Sequence, residues 1–506
     1  MNRYVLPEIV LQPGYTQQTL QDAVRRAGGD PEAFEVIRES LDARHRPVWR
    51  LRVVVHANRP QAHWEMYPEP TPLRVPLLPK PRTDLHPVVI GAGPAGLCAA
   101  WVLARAGVPP VVVDLGAPVE ERCQQWAAFL DNGHFRPAGS LVYGEGGAGT
   151  FSDGKLTTRR NDPLLHAFFV WLVAHGAPDD ILRRSRPHVG SDFLLQLLPS
   201  IRHELENCGV QFLWHTRVTD FVVGNKKRLQ AVRTTQGNLP CTDAFVALGT
   251  SGEELLALFE EIGAIIEPRP WQIGVRMEQS AAAIAKAVYG RNANLPGLPP
   301  AEYQFVLPPH NVRTFCMCPG GRVVCAAPAE GQLVVNGMSL RARNEPFSNA
   351  ALIMTLPKAA SWRHAVQQRK DIEYRAFLAG NASWAAPGQT IASFLQEKSP
   401  IIAPNSYTFG VEPYSLCELL PDALTQALRA GLPHLSRFLP GITDGMLIAP
   451  ETRVAPPWRI LRDRTGHTVY GLYPIGEGSG WSSGISTSAL DGLRIALTWV
   501  QAKESK

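Results

Sequence analysis

The chain has 506 residues, a formal net charge of +5, and is 45% hydrophobic and 19% charged. That hydrophobic share can bury a sizeable core, which excludes wholesale disorder, and the 43 glycines and 44 prolines follow no repeating period, which excludes a collagen-like or low-complexity chain. The charge is mild for this length, with no basic run or tail, so nucleic acid is not expected as a partner; eight cysteines are too few for a disulfide scaffold.

The opening MNRYVLPEIV lacks the basic-then-apolar order of a secretory signal. The stretches 88–113 and 164–174 are broken by glycine, proline and arginine, or fall short of the roughly 20 apolar residues that a spanning helix needs. A reduced, cytoplasmic protein with no membrane partner is the expectation. Residues 1–60 read as a small α+β unit. Thr16 to Ala27 has helical spacing with Thr16 or Thr19 as cap, and Trp49 to Val55 alternates like a strand. Arg44, His45, Arg46, Arg50 and Arg52 fit the solvated face of that strand better than a polyanion site. Residues 61–86 are dense in proline, which removes backbone donors and favours extended conformations, as in a semi-rigid linker.

Val88 to Ile90 then reads as a short buried strand, followed by the turn Gly91-Ala92-Gly93-Pro94-Ala95-Gly96, a helix from Leu97 to Ala106 stopped by Gly107, and a second strand, Val111 to Val113, ending at Asp114. This is G-x-G-x-x-G inside a β-α-β unit. Gly91 permits the tight turn, Gly93 lets backbone approach a pyrophosphate, and Gly96 lets helix and strand pack closely. Pro94 and Ala95 open the helix, whose free N–H groups face the phosphates. Asp114 is placed to accept hydrogen bonds from ribose hydroxyls. Gly144-x-Gly146-x-x-Gly149 matches the same string, but no apolar helix and no second-strand acid follow it.

Ser191 to Cys208 reads as an amphipathic helix with Gly209 as its stop. Short β-like runs follow at 211–214, 217–223, 229–235 and 242–248, the last leading into Gly249. Residues from about 256 to 440 change texture to short strands and proline turns. Glycine returns at Gly476-Glu477-Gly478 and Gly480 to Gly484, before a helix from Ile485 to Trp499. A Rossmann turn alone does not choose between NAD and FAD. A glycine turn near 250 and a Gly-Glu turn near 476 would close one extended site, and FAD is long enough to need both ends. Its adenosine would lie over the first turn. Its isoalloxazine would lie at the second helix N-terminus, whose dipole stabilises negative charge on the reduced ring.

Gly144 to Leu156 (GEGGAGTFSDGKL), Phe315 to Gly321 (FCMCPGG), Glu451-Thr452-Arg453 and Tyr473 to Asp491 resemble the FAD-dependent dehydrogenases of the glutathione-reductase-type fold, and more narrowly a bacterial branch of those flavoproteins. The similarity runs from about Arg38 to Ala496, and Ser40 to Arg44 matches that branch's N-terminal domain. The resemblance implies an α/β fold: a Rossmann-like FAD-binding domain in two pieces, 87–255 and 445–506, an inserted α+β substrate domain at 256–444, and a small α+β domain ahead. It implies Gly91, Gly93 and Gly96 on the pyrophosphate, Asp114 on the adenosine ribose and Arg122 in contact with the cofactor. Gly146, Gly147 and Gly149 would wrap near the flavin with Lys155 close by. Val218 would meet adenine through its backbone, Gly249 would line the dinucleotide, and Gly476, Glu477, Gly484 and Ile485 would hold the ribityl and ring end.

The chain departs from that pattern at Gly249-Thr250-Ser251-Gly252-Glu253-Glu254 (G-H-S-A-R-D in the family), at Arg276 to Ser280 (R-I-E-H-P) and at Trp481-Ser482-Ser483. Two histidines available for chemistry are thereby missing, as in a divergent member with a substrate or mechanism of its own. Arg276, Glu278 and Tyr473 are the polar candidates for catalysis, each with a structural role as the commoner reading. Cys316-Met317-Cys318, with Cys325 nearby, lacks the second cysteine pair of a zinc site, so no metal is expected; packing, or lining the substrate side, is favoured over a redox disulfide. The expectation is an FAD-dependent oxidoreductase of dehydrogenase type, passing hydride between a small-molecule organic substrate and flavin. A flavin-dependent monooxygenase is the alternative, and an RNA- or partner-binding flavoprotein with structural FAD a further one. With no second dinucleotide turn, NAD(P)H enters as a transient visitor to the same cleft, unless the substrate itself or a partner protein supplies the electrons.

Overall fold

The computed structural model describes residues 2–69, 72–78, 84–225, 227–309 and 312–504; the linker positions 70, 71 and 79–83 lie outside the described residues. Near the N-terminus, strands β1 (Asn2–Val5), β2 (Ile9–Leu11), β3 (Phe34–Asp42), β4 (Val48–Ala57) and β5 (Glu65–Met66) form one antiparallel sheet. β4 is central, with β3 on one edge and β1 and β2 sharing the other. Helix α1 (Gln17–Arg26) buries Leu20, Ala23 and Val24 against Trp49, Leu51, Val53 and Val55. Thr16 is its cap, accepting from the Thr19 N–H at 3.2 Å. β5 carries the sheet past residue 60 into the stretch expected to be linker, because residues 61–67 contain no proline and Glu65 can pair with Val5.

A parallel sheet follows. Its strands are β6 (Pro87–Ile90), β7 (Val111–Val113), β8 (Gln211–Leu213), β12 (Asp243–Val246) and β24 (Leu472–Pro474), in the spatial order β24-β12-β6-β7-β8. All four pairings are parallel. β6 is paired on both edges and covered on both faces, which is why it reads as an unbroken apolar run. α2 (Pro94–Arg105) links β6 to β7. α3 (Val119–Asn132), α4 (Pro163–Ala174) and α5 (Ser191–Asn207) lie between β7 and β8, and the meander β9 (Val218–Val223), β10 (Leu229–Thr234) and β11 (Gly237–Pro240) between β8 and β12. From β6 the chain steps outward to β7 and β8, and β12 and β24 are laid on the other side. The carboxyl ends of β6 and β12 therefore flank a topological switch point, where open α/β sheets bind ligands. The final helix, α12 (Ile485–Glu504), lies against α2, and its Leu493 and Ala496 share one core with Ala99 and Leu103.

The chain leaves this body after α6 (Glu254–Glu261) and β13 (Ile266–Pro268), and returns at β23 (Trp458–Ile460), which pairs antiparallel with β13. Between them stands a seven-stranded sheet, β15 (Val306–Leu307), β16 (Val312–Cys318), β19 (Phe347–Leu356), β14 (Trp271–Ser280), β22 (Met446–Glu451), β20 (Ala386–Thr390) and β21 (Val411–Pro413), in that spatial order. Beside it lies the hairpin β17 (Arg322–Cys325) and β18 (Val335–Met338). Its core also takes in side chains of α7 (Ala281–Tyr289), α8 (Trp362–Ala379), α9 (Ile391–Gln396), α10 (Leu416–Leu419) and α11 (Asp422–Leu435). The junctions expected at 255 and 445 are displaced. Leu256 and Phe259 of α6 pack with Val88 and Ile90 of the parallel sheet, while β22 is hydrogen-bonded to β14 and β20. Among the described residues no helix is long and apolar enough to cross a membrane.

The α2–α12 contact depends on Gly492, where a Cβ would overlap the Ala95 carbonyl. Gly492→Ala should force the helices apart and cost roughly 1–3 kcal/mol, as overpacked interiors do; an unfolding midpoint in urea equal to that of the parent would refute this.

Candidate functional site: a cleft between two helix N-termini

The carboxyl ends of β6, β7, β12 and β24 open on a cleft of about 430 Å³. Gly91, Gly93, Pro94 and Ala95 line it after β6, Asp114 after β7, Gly249 after β12, and Gly476 and Glu477 after β24. Gly484 and Ile485 bring the start of α12 to the same space, and Gly147, Gly149 and Val218 close it from outside the sheet. The glycines serve two different needs. Gly91 has φ +103° and a Cβ there would overlap the Ala247 carbonyl; a Cβ on Gly96 would overlap the Gly91 carbonyl. The protein's own packing demands these two, and Gly96 itself stays behind the lining. By contrast, a Cβ on Gly93 would find only the Gly147 Cα, at 3.9 Å, and on Gly249 or Gly484 nothing within 4 Å. At Gly484 φ +77° already calls for glycine, so it is at Gly93 and Gly249 that the missing side chain does no more than keep the path along the cleft clear. No side chain caps α2, so its first amides face that path.

Asp114 organises the turn. One of its carboxylate oxygens accepts the Ala92 N–H at 2.7 Å, and the other accepts the N–H groups of Gly116 and Gly144 at 2.8 Å each. A carboxylate offers about four acceptor positions, so one remains for a ribose hydroxyl. The Gly144 to Thr150 turn is held to the first turn by the Gly146 N–H, donated to the Ala92 carbonyl at 2.9 Å. Gly147 and Gly149 line the cleft, while Gly146 faces inward towards Leu198.

Arg122 does not reach the cleft. Its fully buried guanidinium staples the turn from beneath, donating to the carbonyls of Leu141 (3.0 Å) and Gly147 (3.2 Å) and to that of Glu145. Burial lowers its pKa to about 10. The neighbouring Glu145 carboxylate accepts the Val119 N–H at 2.8 Å, and burial pushes its pKa up to about 7. Lys155 points away from the cleft to Asp153 and the Met317 carbonyl.

The three catalytic candidates lie outside the cleft lining. Arg276 is fully buried and doubly paired with Glu451 (Nε to Oε2 2.6 Å, Nη2 to Oε1 2.9 Å), with further bonds to Asn336, Asn349 and the Cys316 carbonyl. Glu278 accepts from the Ser406 amide at 2.7 Å and from its hydroxyl. Tyr473 stacks on Phe245 at 5.1 Å, behind the strand end. Glu477, by contrast, lines the cleft; burial raises its pKa to about 7.

Residues without a recognisable motif complete the walls. Tyr143 donates its hydroxyl to the Ser251 carbonyl at 3.1 Å, joining the Gly144 turn to the 249–254 loop. That loop is clamped from the other body: Arg453 holds Ser251 Oγ at 2.8 Å and Glu373 with both ends of its fork, and Arg369 pairs with Glu253 at 3.1 Å. The divergent Trp481 lies against Arg459 and Arg462 and donates to the Ile460 carbonyl. A run of aromatic or charged letters carries no periodicity that would have marked these partners.

Residues 270–454 match the family described as "FAD-dependent protein, C-terminal domain-like". An uncharacterised protein of Clostridium beijerinckii (strain ATCC 51743 / NCIMB 8052) is 34% identical over 427 residues, covering 81% of this chain and 80% of that one. The chain belongs to this family of FAD-dependent proteins. Among solved structures, L-proline dehydrogenase from P. horikoshii is similar at a TM-score of 0.37 with 10% identity, covering 84% of this chain and 94% of that one. A geranylgeranyl bacteriochlorophyll reductase-like protein from Thermoplasma acidophilum is similar at a TM-score of 0.37 with 9% identity, covering 83% and 79%. At this level the two likenesses say nothing about the reaction. FAD, the cofactor in the family's description, fits a cleft whose three open glycines leave an unfilled path between two helix N-termini.

Gly93→Val should fold, because the protein leaves room for its Cβ, yet purify with little flavin; full visible flavin absorbance in that variant would contradict the assignment. Glu145 sets a pH signature. Its folded pKa of about 7 exceeds the ordinary 4.5, so the folded state binds the extra proton and the group's contribution to stability falls as pH rises from 4.5 to 7. Glu145→Gln, always neutral, should gain on the parent across that window by roughly 3 kcal/mol. Parallel stability-against-pH curves would refute the shift.

Proposed function

We propose that this chain is an FAD-dependent oxidoreductase of the dehydrogenase type, passing a hydride between a bound organic small molecule and flavin. The observation that carries the reading is the clear path past Gly93, Gly249 and Gly484, running from the start of α2 to the start of α12. When bound, FAD supplies the two-electron chemistry itself. The chain's residues hold and orient. The Gly91 to Ala95 turn and the α2 amides take the pyrophosphate, the Asp114 carboxylate takes an adenosine ribose hydroxyl, and Val218 offers its backbone to adenine. Gly147, Gly149, Gly476, Gly484 and Ile485 enclose the ribityl and ring end, where the positive end of the α12 dipole favours a negative charge. Below about pH 7 the Glu477 carboxyl keeps its proton and adds no opposing charge there.

The seven-stranded sheet brings Arg276 and Glu278 as framework, so substrate orientation and exclusion of water, rather than a dedicated acid or base, are what the protein contributes to hydride transfer. NAD(P)H gains no support from the site: the described residues contain one G-x-G-x-x-G turn set between a parallel strand and its helix. The test is an anaerobic screen of metabolites against the purified yellow protein. A substrate that bleaches the flavin without oxygen supports a dehydrogenase. Oxygen uptake coupled to substrate hydroxylation, with no anaerobic bleaching, would overturn it.

A further inference from the structure

Outside the cleft, the Phe315 to Gly321 stretch holds two thiols together in a distorted strand. Phe315 of β16 sits opposite Ala351 of β19, but Cys318 sits opposite Asn349, so β16 carries one extra residue between them. Cys316 takes φ +41°, a left-handed backbone that residues with side chains seldom adopt. Two cations grip the bulge. Arg276 of β14 donates to the Cys316 carbonyl at 2.8 Å, and Lys155, from the segment following Gly149, donates to the Met317 carbonyl. Cys318 is buried and its thiol reaches the Cys316 carbonyl at 3.5 Å, while Cys316 is partly exposed.

We propose that Cys316 and Cys318 are a redox-active dithiol that exchanges with low-molecular-weight disulfides, Cys316 attacking and Cys318 resolving. The Cys316 thiolate attacks one sulfur of the disulfide and expels the other half as a thiolate, leaving a mixed disulfide. Cys318 gives up its proton to solvent and attacks the Cys316 sulfur, expelling the second thiolate. Two electrons pass from the pair to the incoming disulfide, and a Cys316–Cys318 bond remains. The surroundings suit this order. Interaction with the Cys318 thiol lowers the Cys316 pKa, against burial, with Arg276 and Lys155 adding to the shift and Asp153 opposing it; the same pairing and burial push Cys318 up. Glu451 is taken up by Arg276, and Asp153 by Lys155 and Arg343. A thiolate is the nucleophile in such exchange. The exchange needs no flavin, so it stands apart from the cofactor reading.

The test uses the full chain, reduced and then exposed to oxidised glutathione at neutral pH, with thiols mapped by peptide mass spectrometry. The parent should form a Cys316–Cys318 disulfide that dithiothreitol removes. Cys318→Ser should retain one glutathione on Cys316, and Cys316→Ser should leave Cys318 unmodified. Iodoacetamide should alkylate Cys316 in the parent with a pH midpoint below that of an ordinary thiol, and Cys318→Ser should raise that midpoint. The parent's disulfide map needs no variant and guards against folding failure. Absence of the 316–318 bond while the exposed Cys208 takes up glutathione would overturn the proposal. So would an unresolved glutathione on Cys316 in the parent, or a midpoint in the ordinary thiol range.

Discussion

Amide protons from three separate stretches of chain, those of Ala92, Gly116 and Gly144, converge on the Asp114 carboxylate at 2.7 to 2.8 Å. A charged acceptor makes such bonds stronger than neutral ones. Here it fixes the first glycine turn relative to the loop that closes the cleft. The Gly146 amide then bonds back to Ala92, and Arg122 fastens the loop's carbonyls from below. Remove the carboxylate and three buried donors lose their acceptor while the glycine turn at the head of the cleft loses its brace.

The two bodies are joined by charge as well as by the β13–β23 pair. Arg453 and Arg369 reach from the far side to hold the 249–254 loop, and Lys155 and Arg343 meet at Asp153 between the Gly149 segment and the second body. Pairs of this kind add little net stability over apolar packing, but losing one partner strands a buried charge. They therefore act as keys that fix how the bodies meet. The divergent letters at 250–254 and 481–483 make sense in these terms. Glu253 finds Arg369, and Trp481 finds Arg459 and Arg462.

The same logic redirects the catalytic candidates. Arg276 and Glu278 alternate with apolar residues along β14, which in sequence is equally compatible with facing a substrate or facing a polar interior. Burial decides for pairing, since an isolated charge there is too costly to keep. Arg276 is thereby committed to Glu451 and Glu278 to Ser406, and Arg276 instead shapes the Cys316 bulge.

The β-α-β unit with its glycine turn, the acid at its end and the paired glycine turn before α12 were legible because each is a local pattern: period, punctuation and the conformational freedom that only glycine has. Tertiary structure decided what local pattern cannot encode. It placed β22 with β14 rather than with the parallel sheet, drew β5 out of the linker, and turned Arg122 under the loop instead of towards the cofactor. It also brought Tyr143 and Arg453, from opposite sides, onto Ser251. Strand partnership and the neighbour of a buried charge are set by contacts between residues far apart in the chain, where the pairing energy depends on which surfaces meet and not on the letters alongside.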